Sequence, residues 1–285
     1  MNVWVEAARP RTLSAGIAPV LVGTAAAEAF IVWRFIAALV AGVSIQIGVN
    51  YANDLFDAER GVDTGERLGP RRTVAAGLVS PARMRLALAL ILVVAGAAGL
   101  ALALATTPWL LVVGLGCFAA LLGYSGGPRP YASAGLGEIF VFLFFGLVAT
   151  VGSAFVQDEA ITMVAVVAAL PVGLLAVALL VVNNLRDIPT DRAAGKNTLA
   201  VRLGEERTRW LFAALLVVTL AGIVMLAIVA SSFWPLLGLG CTPLLVKAGR
   251  VALRANGREL VGALGATGLA QLMLGVLVAV GLWIS

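Results

Sequence analysis

The chain contains no histidine, only two cysteines and three tyrosines, and charge on just 12% of its 285 residues. The missing histidine removes imidazole general bases, His-ligated zinc and histidine-bound haem. The two cysteines, Cys117 and Cys241, sit apart inside apolar runs, so neither a disulfide nor a metal-binding pair is expected. The scarcity of charge is the most consequential gap. Soluble domains carry charge on about a quarter of their residues, because their surface must face water. Here 61% of the residues are hydrophobic, so most of the surface is expected to face lipid.

A bilayer span needs about 20 apolar residues. Apolar runs bounded by polar or Pro/Gly breaks fall near 13–30, 36–55, 84–105, 109–126, 135–155, 161–184, 209–230, 233–250 and 260–283. The expected fold is therefore an all-α bundle of nine transmembrane helices, forming one integral-membrane domain over 1–285. The opening residues lack the basic start and small-residue cleavage site of a signal peptide. They read as a short interfacial segment leading into the first span.

The cations are one-sided. Of the 20 Lys and Arg, only Arg34 falls in connections 1–2, 3–4, 5–6 or 7–8; the rest lie at the N-terminus, or in or beside the other connections. The positive-inside rule then places the N-terminus in the cytoplasm and, with nine spans, the C-terminus outside. Outside connections such as 106–109 and 157–159 are too short and plain for chemistry. Nucleic acid is not an expected partner despite the net charge of +5, because no soluble domain or RNA-binding motif is present. Contact with anionic lipid accounts for many of the arginines.

Two acidic motifs stand out on this inner face. The second span ends in a stripe of Gln46, Asn50, Asn53, Asp54 and Asp57, all on one helix face at 100° per residue. A charged group at membrane depth costs on the order of 3 kcal/mol unless it is paired or lines a wet cavity. The sixth span ends similarly in Asn183, Asp187 and Asp191, although Pro189 loosens the helical phase at Asp191. Asn-x-x-x-Asp thus occurs twice, at 50/54 and 183/187, each copy followed by a Gly-containing basic loop. Four carboxylates around one cavity repel one another, and divalent cations remove that repulsion. Oxygen-only ligands point to Mg²⁺, which shares itself between a few carboxylates and a phosphate. Arg67, Arg71 and Arg72 follow the first motif, and Arg192 and Lys196 the second. Carboxylates, Mg²⁺ and cations around a membrane-level cavity describe a diphosphate site. A transporter would instead carry its charges near the middle of the bilayer.

These residues resemble the UbiA superfamily of intramembrane aromatic prenyltransferases, from Arg9-Pro10-Arg11-Thr12 to the last span. Within it, three segments are most similar to the branch that prenylates 1,4-dihydroxy-2-naphthoate in menaquinone synthesis: 50–72, 124–146 and 183–204. The resemblance implies a nine-helix bundle and Mg²⁺ dependence, with two ions held by Asp54, Asp57, Asp187 and Asp191 and helped by Asn50 and Asn183. It also implies a polyprenyl diphosphate donor, release of CO₂ and diphosphate, and a bacterial cytoplasmic membrane with the site facing the cytoplasm. Arg72 and Lys196 match family positions that contact the diphosphate; Arg67, Arg71 and Arg129 are further candidates. Tyr124 and Tyr131 read either as substrate contacts or as interfacial aromatics. Glu138 reads either as a substrate contact or as a first-turn acid favoured by the helix dipole. Arg9 and Arg11 fit the naphthoate carboxylate or inner-leaflet anchoring equally well. Another acceptor, such as 4-hydroxybenzoate, stays open, as do prenyl chain length and oligomeric state.

Overall fold

The structure is a computed structural model describing residues 2–62 and 72–285. Among these every regular element is helical. A short amphipathic α1 (Val3–Ala8) leads through a 3-10 turn (Pro10–Thr12) into α2 (Ser14–Ala25), α3 (Val32–Glu59), α4 (Pro81–Ala105) and α5 (Trp109–Ser125). Next come α6 (Gly137–Val141), a π-helical stretch (Phe142–Val148) and α7 (Ala149–Asp158), which together form one span. The long α8 (Met163–Ala193) is followed by α9 (Leu199–Leu203), α10 (Glu205–Val229), a 3-10 segment (Trp234–Cys241), α11 (Thr242–Arg254), a 3-10 turn (Gly257–Glu259) and α12 (Leu260–Trp283).

Each of the nine expected spans coincides with a helical segment, but they are not equal. Among the described residues, seven segments are long and apolar enough to cross a membrane. The first and fourth expected spans are the exceptions, at 12 and 17 residues. Rising 1.5 Å per residue, they reach only about 18 and 26 Å, against a hydrocarbon core of about 30 Å. The sixth span overruns its expectation in the opposite sense. Here α8 continues for 31 residues, through Pro171 and Pro189, and ends beyond both acids. Pro189 therefore does not break the helical phase, and Asp187 and Asp191 sit one turn apart on the same helix.

Local signals explain the ends. Ser80 accepts from the Arg83 N–H and Thr162 from the Ala165 N–H, which caps α4 and α8. Pro81 follows its cap directly, where a missing N–H loses nothing. At the end opposite the acids, Asp158 accepts from the amides of Glu28 and Ala29, and Gln157 from that of Ile31. Arg34 reaches the carbonyls of Val156 and Ala105 and pairs with Glu159. That lone cation on its side of the chain is thus spent on tying α3, α4 and α7 together.

α8 is the most buried span. Its Val172, Leu175, Val182 and Leu185 pack with Phe212 and Ile223 of α10, Leu245 of α11 and Leu274 of α12. A second core joins α1 to α3 and α4 through Ala7, Tyr51, Leu55, Met84 and Leu88. The outward faces carry largely exposed Leu90, Val93, Leu104, Leu115, Val217 and Ile228. A soluble surface would not present such a belt; lipid covers it at no cost. The chain is a multi-pass membrane protein.

The π-helical stretch lies against α8 at unusually short range. A Cβ on Gly146 would come 2.8 Å from the Gly173 Cα, and a Cβ on Gly173 would meet Gly146 and the Phe142 ring equally closely. Over-packing of such contacts costs about 1–3 kcal/mol. Gly173→Val is expected to lower the melting temperature of the detergent-purified protein, whereas Gly99→Val, which meets open space, is not.

Candidate active site

The polar stripe of α3 divides its partners by depth. Gln46 donates to Thr12 Oγ1 at 3.2 Å, and Asn50 donates to Thr12 Oγ1 at 3.0 Å and to the Ala8 carbonyl at 2.8 Å. Those two amides hold the N-terminal segment against the bundle. Asp54 points elsewhere. Its carboxylate accepts from the Thr73 N–H (2.9 Å), the Thr73 hydroxyl (2.8 Å) and the Val74 N–H (3.2 Å). Asp57 is the acid on which cations converge. Arg60 reaches Oδ1 at 2.9 Å, while Arg72 and Lys196 reach Oδ2 at 3.1 and 2.8 Å. Lys196 follows α8, so its ammonium links the two acidic motifs across 139 residues of sequence.

On α8, Asp187 is gripped in fork geometry by its neighbour. Arg186 Nε and Nη2 donate to the two carboxylate oxygens at 2.7 Å each, and Nη2 also donates to Asn183 Oδ1 at 2.9 Å. Arg186 and Asp187 are both 2% exposed. The Asp191 carbonyl accepts from the Lys196 N–H, which folds the post-helix loop back toward the acids.

Two loops cover this region. The segment between α5 and α6 turns through Gly127 and Gly135, with φ of 76° and 72°, where only glycine is unstrained. Its Ser133 carbonyl accepts from the Asn197 N–H, and Arg202 braces the carbonyls of Ala134 and Asn197. Beneath it Tyr131 donates to the Ala120 carbonyl at 2.8 Å and stacks on Phe140 at 4.1 Å, with Tyr124 edge-on. Burial pushes the Tyr131 hydroxyl above the usual tyrosine range, so it stays a neutral donor.

Two adjoining cavities result. A small polar one, about 60 Å³, is lined by Asp57, Asp187 and Asp191 with Arg72, Lys196 and Asn184. A large one, about 1030 Å³, runs from Gln46, Asn50 and Arg186 between α3, α4, α5, the π-helical stretch and α7 to Leu102 and Leu110. Arg9, Asn53, Tyr124 and Asn183 line both, so a head group in the first meets the start of the second.

The sequence candidates are thus distributed unevenly. Asp57, Asp187, Asp191, Asn183, Arg72, Lys196, Tyr124 and Arg9 come together around the polar cavity. Asn50, Tyr131 and the exposed Arg11 line the large one. Asp54 and Glu138 line neither; Glu138 is buried and accepts from Asn184 at 3.2 Å. Arg129 and Arg192 are exposed and also line neither. Arg67 and Arg71 lie outside the described residues. Among the described residues no three acids gather closely enough to hold an ion by themselves. Sequence reasoning gave no role to Asn53, Asn184, Thr73 or Arg186. The helix face that carries Asn50 and Asp57 also carries Asn53, and a cation beside Asp187 at the end of the sixth span was the signal for Arg186.

A family model described as the UbiA prenyltransferase family matches residues 16–263. The chain belongs to the UbiA prenyltransferase family. It is 45% identical over 280 residues to the 1,4-dihydroxy-2-naphthoate octaprenyltransferase of Mycobacterium tuberculosis, covering 97% of this chain and 95% of that one. The Escherichia coli protein of the same name is 36% identical over 269 residues, covering 89% and 85%. Among solved structures, a UbiA homolog from Archaeoglobus fulgidus bound to GPP and Mg²⁺ superposes with a TM-score of 0.66 at 15% identity, covering 97% and 99%. The apo UbiA homolog from Aeropyrum pernix K1 gives 0.70 at 17%, covering 96% and 97%. These two share the UbiA fold with this chain.

Asp54 fixes the start of the described segment after residue 71. Asp54→Asn is expected to speed amide exchange at Thr73 and Val74 on the order of tenfold, through loss of hydrogen bonds to a charged acceptor. Hydrogen-exchange mass spectrometry checks this; unchanged exchange would mean that other contacts hold the segment.

Proposed function

We propose that this enzyme transfers a polyprenyl group from its diphosphate to 1,4-dihydroxy-2-naphthoate, a step of menaquinone synthesis. The observation that carries the reading is the junction of the two cavities. A carboxylate-and-cation pocket suits a diphosphate, and it opens directly into a long apolar space suited to an isoprenoid tail. The naphthoate acceptor is supported by the names of the bacterial relatives, which align over most of the chain.

The donor set fits Mg²⁺. Asp57, Asp187 and Asp191, with the amide oxygens of Asn53 and Asn183, are all oxygen ligands at one small pocket. A hard ion of this kind keeps waters and takes one or two carboxylates plus substrate phosphate. Two ions, one for each motif, match the two-sided arrangement of Asp57 and the Asp187/Asp191 pair. When bound, Mg²⁺ supplies Lewis-acid stabilisation of the departing diphosphate.

The chain's own groups do the rest. Arg72 and Lys196 release Asp57 to meet the diphosphate oxygens as charge builds on them. The donor C1–O bond breaks with its electron pair on the diphosphate, the ring carbon that bears the carboxylate bonds to C1, and its bond to the carboxylate breaks with the electron pair returning to the ring as CO₂ leaves. Tyr124 stands at the junction, where its ring stabilises the allylic cation, and Tyr131 beside it in the large cavity helps to exclude water. Lys and Arg crowd the end of the bundle that carries the acids, while Arg34 is tied down at the other end. That distribution supports a site on the cytoplasmic face of the bacterial inner membrane.

An assay with the detergent-purified enzyme, a polyprenyl diphosphate and 1,4-dihydroxy-2-naphthoate tests this. Turnover should stop with EDTA and return with Mg²⁺. Asp57→Asn and Asp187→Asn should each lower kcat by on the order of 10²–10³-fold, the scale of losing one stabiliser of developing charge. Full activity in both folded variants, or indifference to chelation, would sink the reading.

A further inference from the structure

We propose that Arg186 is the anchor for the carboxylate of the aromatic acceptor. The inference rests on the reading above that the acceptor is a carboxylated ring. The guanidinium has five N–H donors in a fixed fork. One edge, Nε and Nη2, is committed to Asp187, and Nη2 also serves Asn183. Nη1 on the opposite edge is buried and has no hydrogen-bond partner. Buried polar groups are hydrogen-bonded as a rule, and an orphaned N–H on a cation is a marked exception. Arg186 belongs to the wall of the large cavity, so a ligand held there lies beside its side chain.

The surroundings define the ligand. The same cavity is lined by Leu179 and Leu180 of α8 and by Val261 and Leu264 of α12, apolar side chains that suit the flat faces of a bicyclic ring. Asn183, one helical turn from Arg186, lines both cavities, so a ring anchored here lies next to the diphosphate pocket. Both N–H groups of Nη2 are committed, so a carboxylate here would accept from the two N–H groups of Nη1 as charge-assisted hydrogen bonds. Arg9 and Arg11 line the same cavity but compete less well for the role. Arg9 is engaged with partners of its own, and Arg11 is exposed to solvent, where a single charge pair is weak.

Binding without turnover tests the assignment. The full-length enzyme in detergent, without donor, is titrated with 1-hydroxy-2-naphthoate and with 1-naphthol, its carboxylate-free counterpart. The wild type should prefer the acid by on the order of 10–100-fold, the scale of hydrogen bonds to a charged group. Arg186→Gln should bring the ratio close to one, Arg186→Lys should keep part of it, and Arg11→Gln should keep it all. General damage to the fold weakens both ligands alike, so the ratio isolates the carboxylate contact. If Arg186→Gln does not fold, the Lys variant carries the test, since a wild-type ratio there also overturns the assignment. An unchanged ratio in Arg186→Gln, its loss in Arg11→Gln, or no preference in the wild type each overturns it too. Prenyl transfer to 1,4-dihydroxy-2-naphthoate by the wild type separates the two ideas. Transfer with an unchanged Arg186→Gln ratio removes only the anchor; no transfer removes the anchor and the acceptor reading together.

Discussion

Carboxylates near a hydrocarbon interior must be matched by something, and the architecture of this enzyme follows from how that matching is done. Asp57 is surrounded by Arg60, Arg72 and Lys196, which come from its own helix end, the segment after it and the loop after α8. Asp187 takes its neighbour Arg186. Buried ion pairs add little net stability, because desolvation offsets their attraction. Their contribution is positional: the Lys196–Asp57 contact ties the end of α3 to the loop after α8.

The same economy separates structure from chemistry along α3. Gln46, Asn50 and Asp54 share a face, yet the first two hold the N-terminal segment and the third holds residues 73 and 74. Of the two acids in the stripe Asp57 lines the polar cavity, joined there by Asn53. The stripe is therefore a ladder of attachments whose last rung borders the cavity. Above it the braced loop with Tyr131 closes the site, and the π-helical stretch against Gly173 lets Phe144 and Phe145 line the apolar space.

Much of this was legible in the residues. Apolar runs marked nine helical segments, because lipid-facing helices have no other way to satisfy their backbone. The repeated Asn-x-x-x-Asp spacing pointed to helix ends whose acids meet in space. What the sequence hid was partnership. Nothing in the spacing tells that Asp54 serves two backbone amides while Asp57 faces the cavity, since both lie on the same arc. Pro189 suggested a broken phase, but α8 absorbs it within a well-packed helix. Arg186 looked like one more cation at an inner boundary, and only burial and an orphaned nitrogen set it apart. The length of α2 was also misjudged, because flanking apolar residues in loops look the same as residues in a helix.

The two short helices have a consequence for the lipid around the protein. Ala15, Gly16 and Val20 of α2, and Leu110, Phe118 and Leu121 of α5, help to wall the large cavity. α5 also presents Trp109, Leu115 and Leu122 outward. A segment shorter than the hydrocarbon layer draws the leaflets inward or tilts its neighbours. α2 is buried by its neighbours, so any such adjustment falls at α5, which borders lipid on one side and the chamber suited to the isoprenoid on the other.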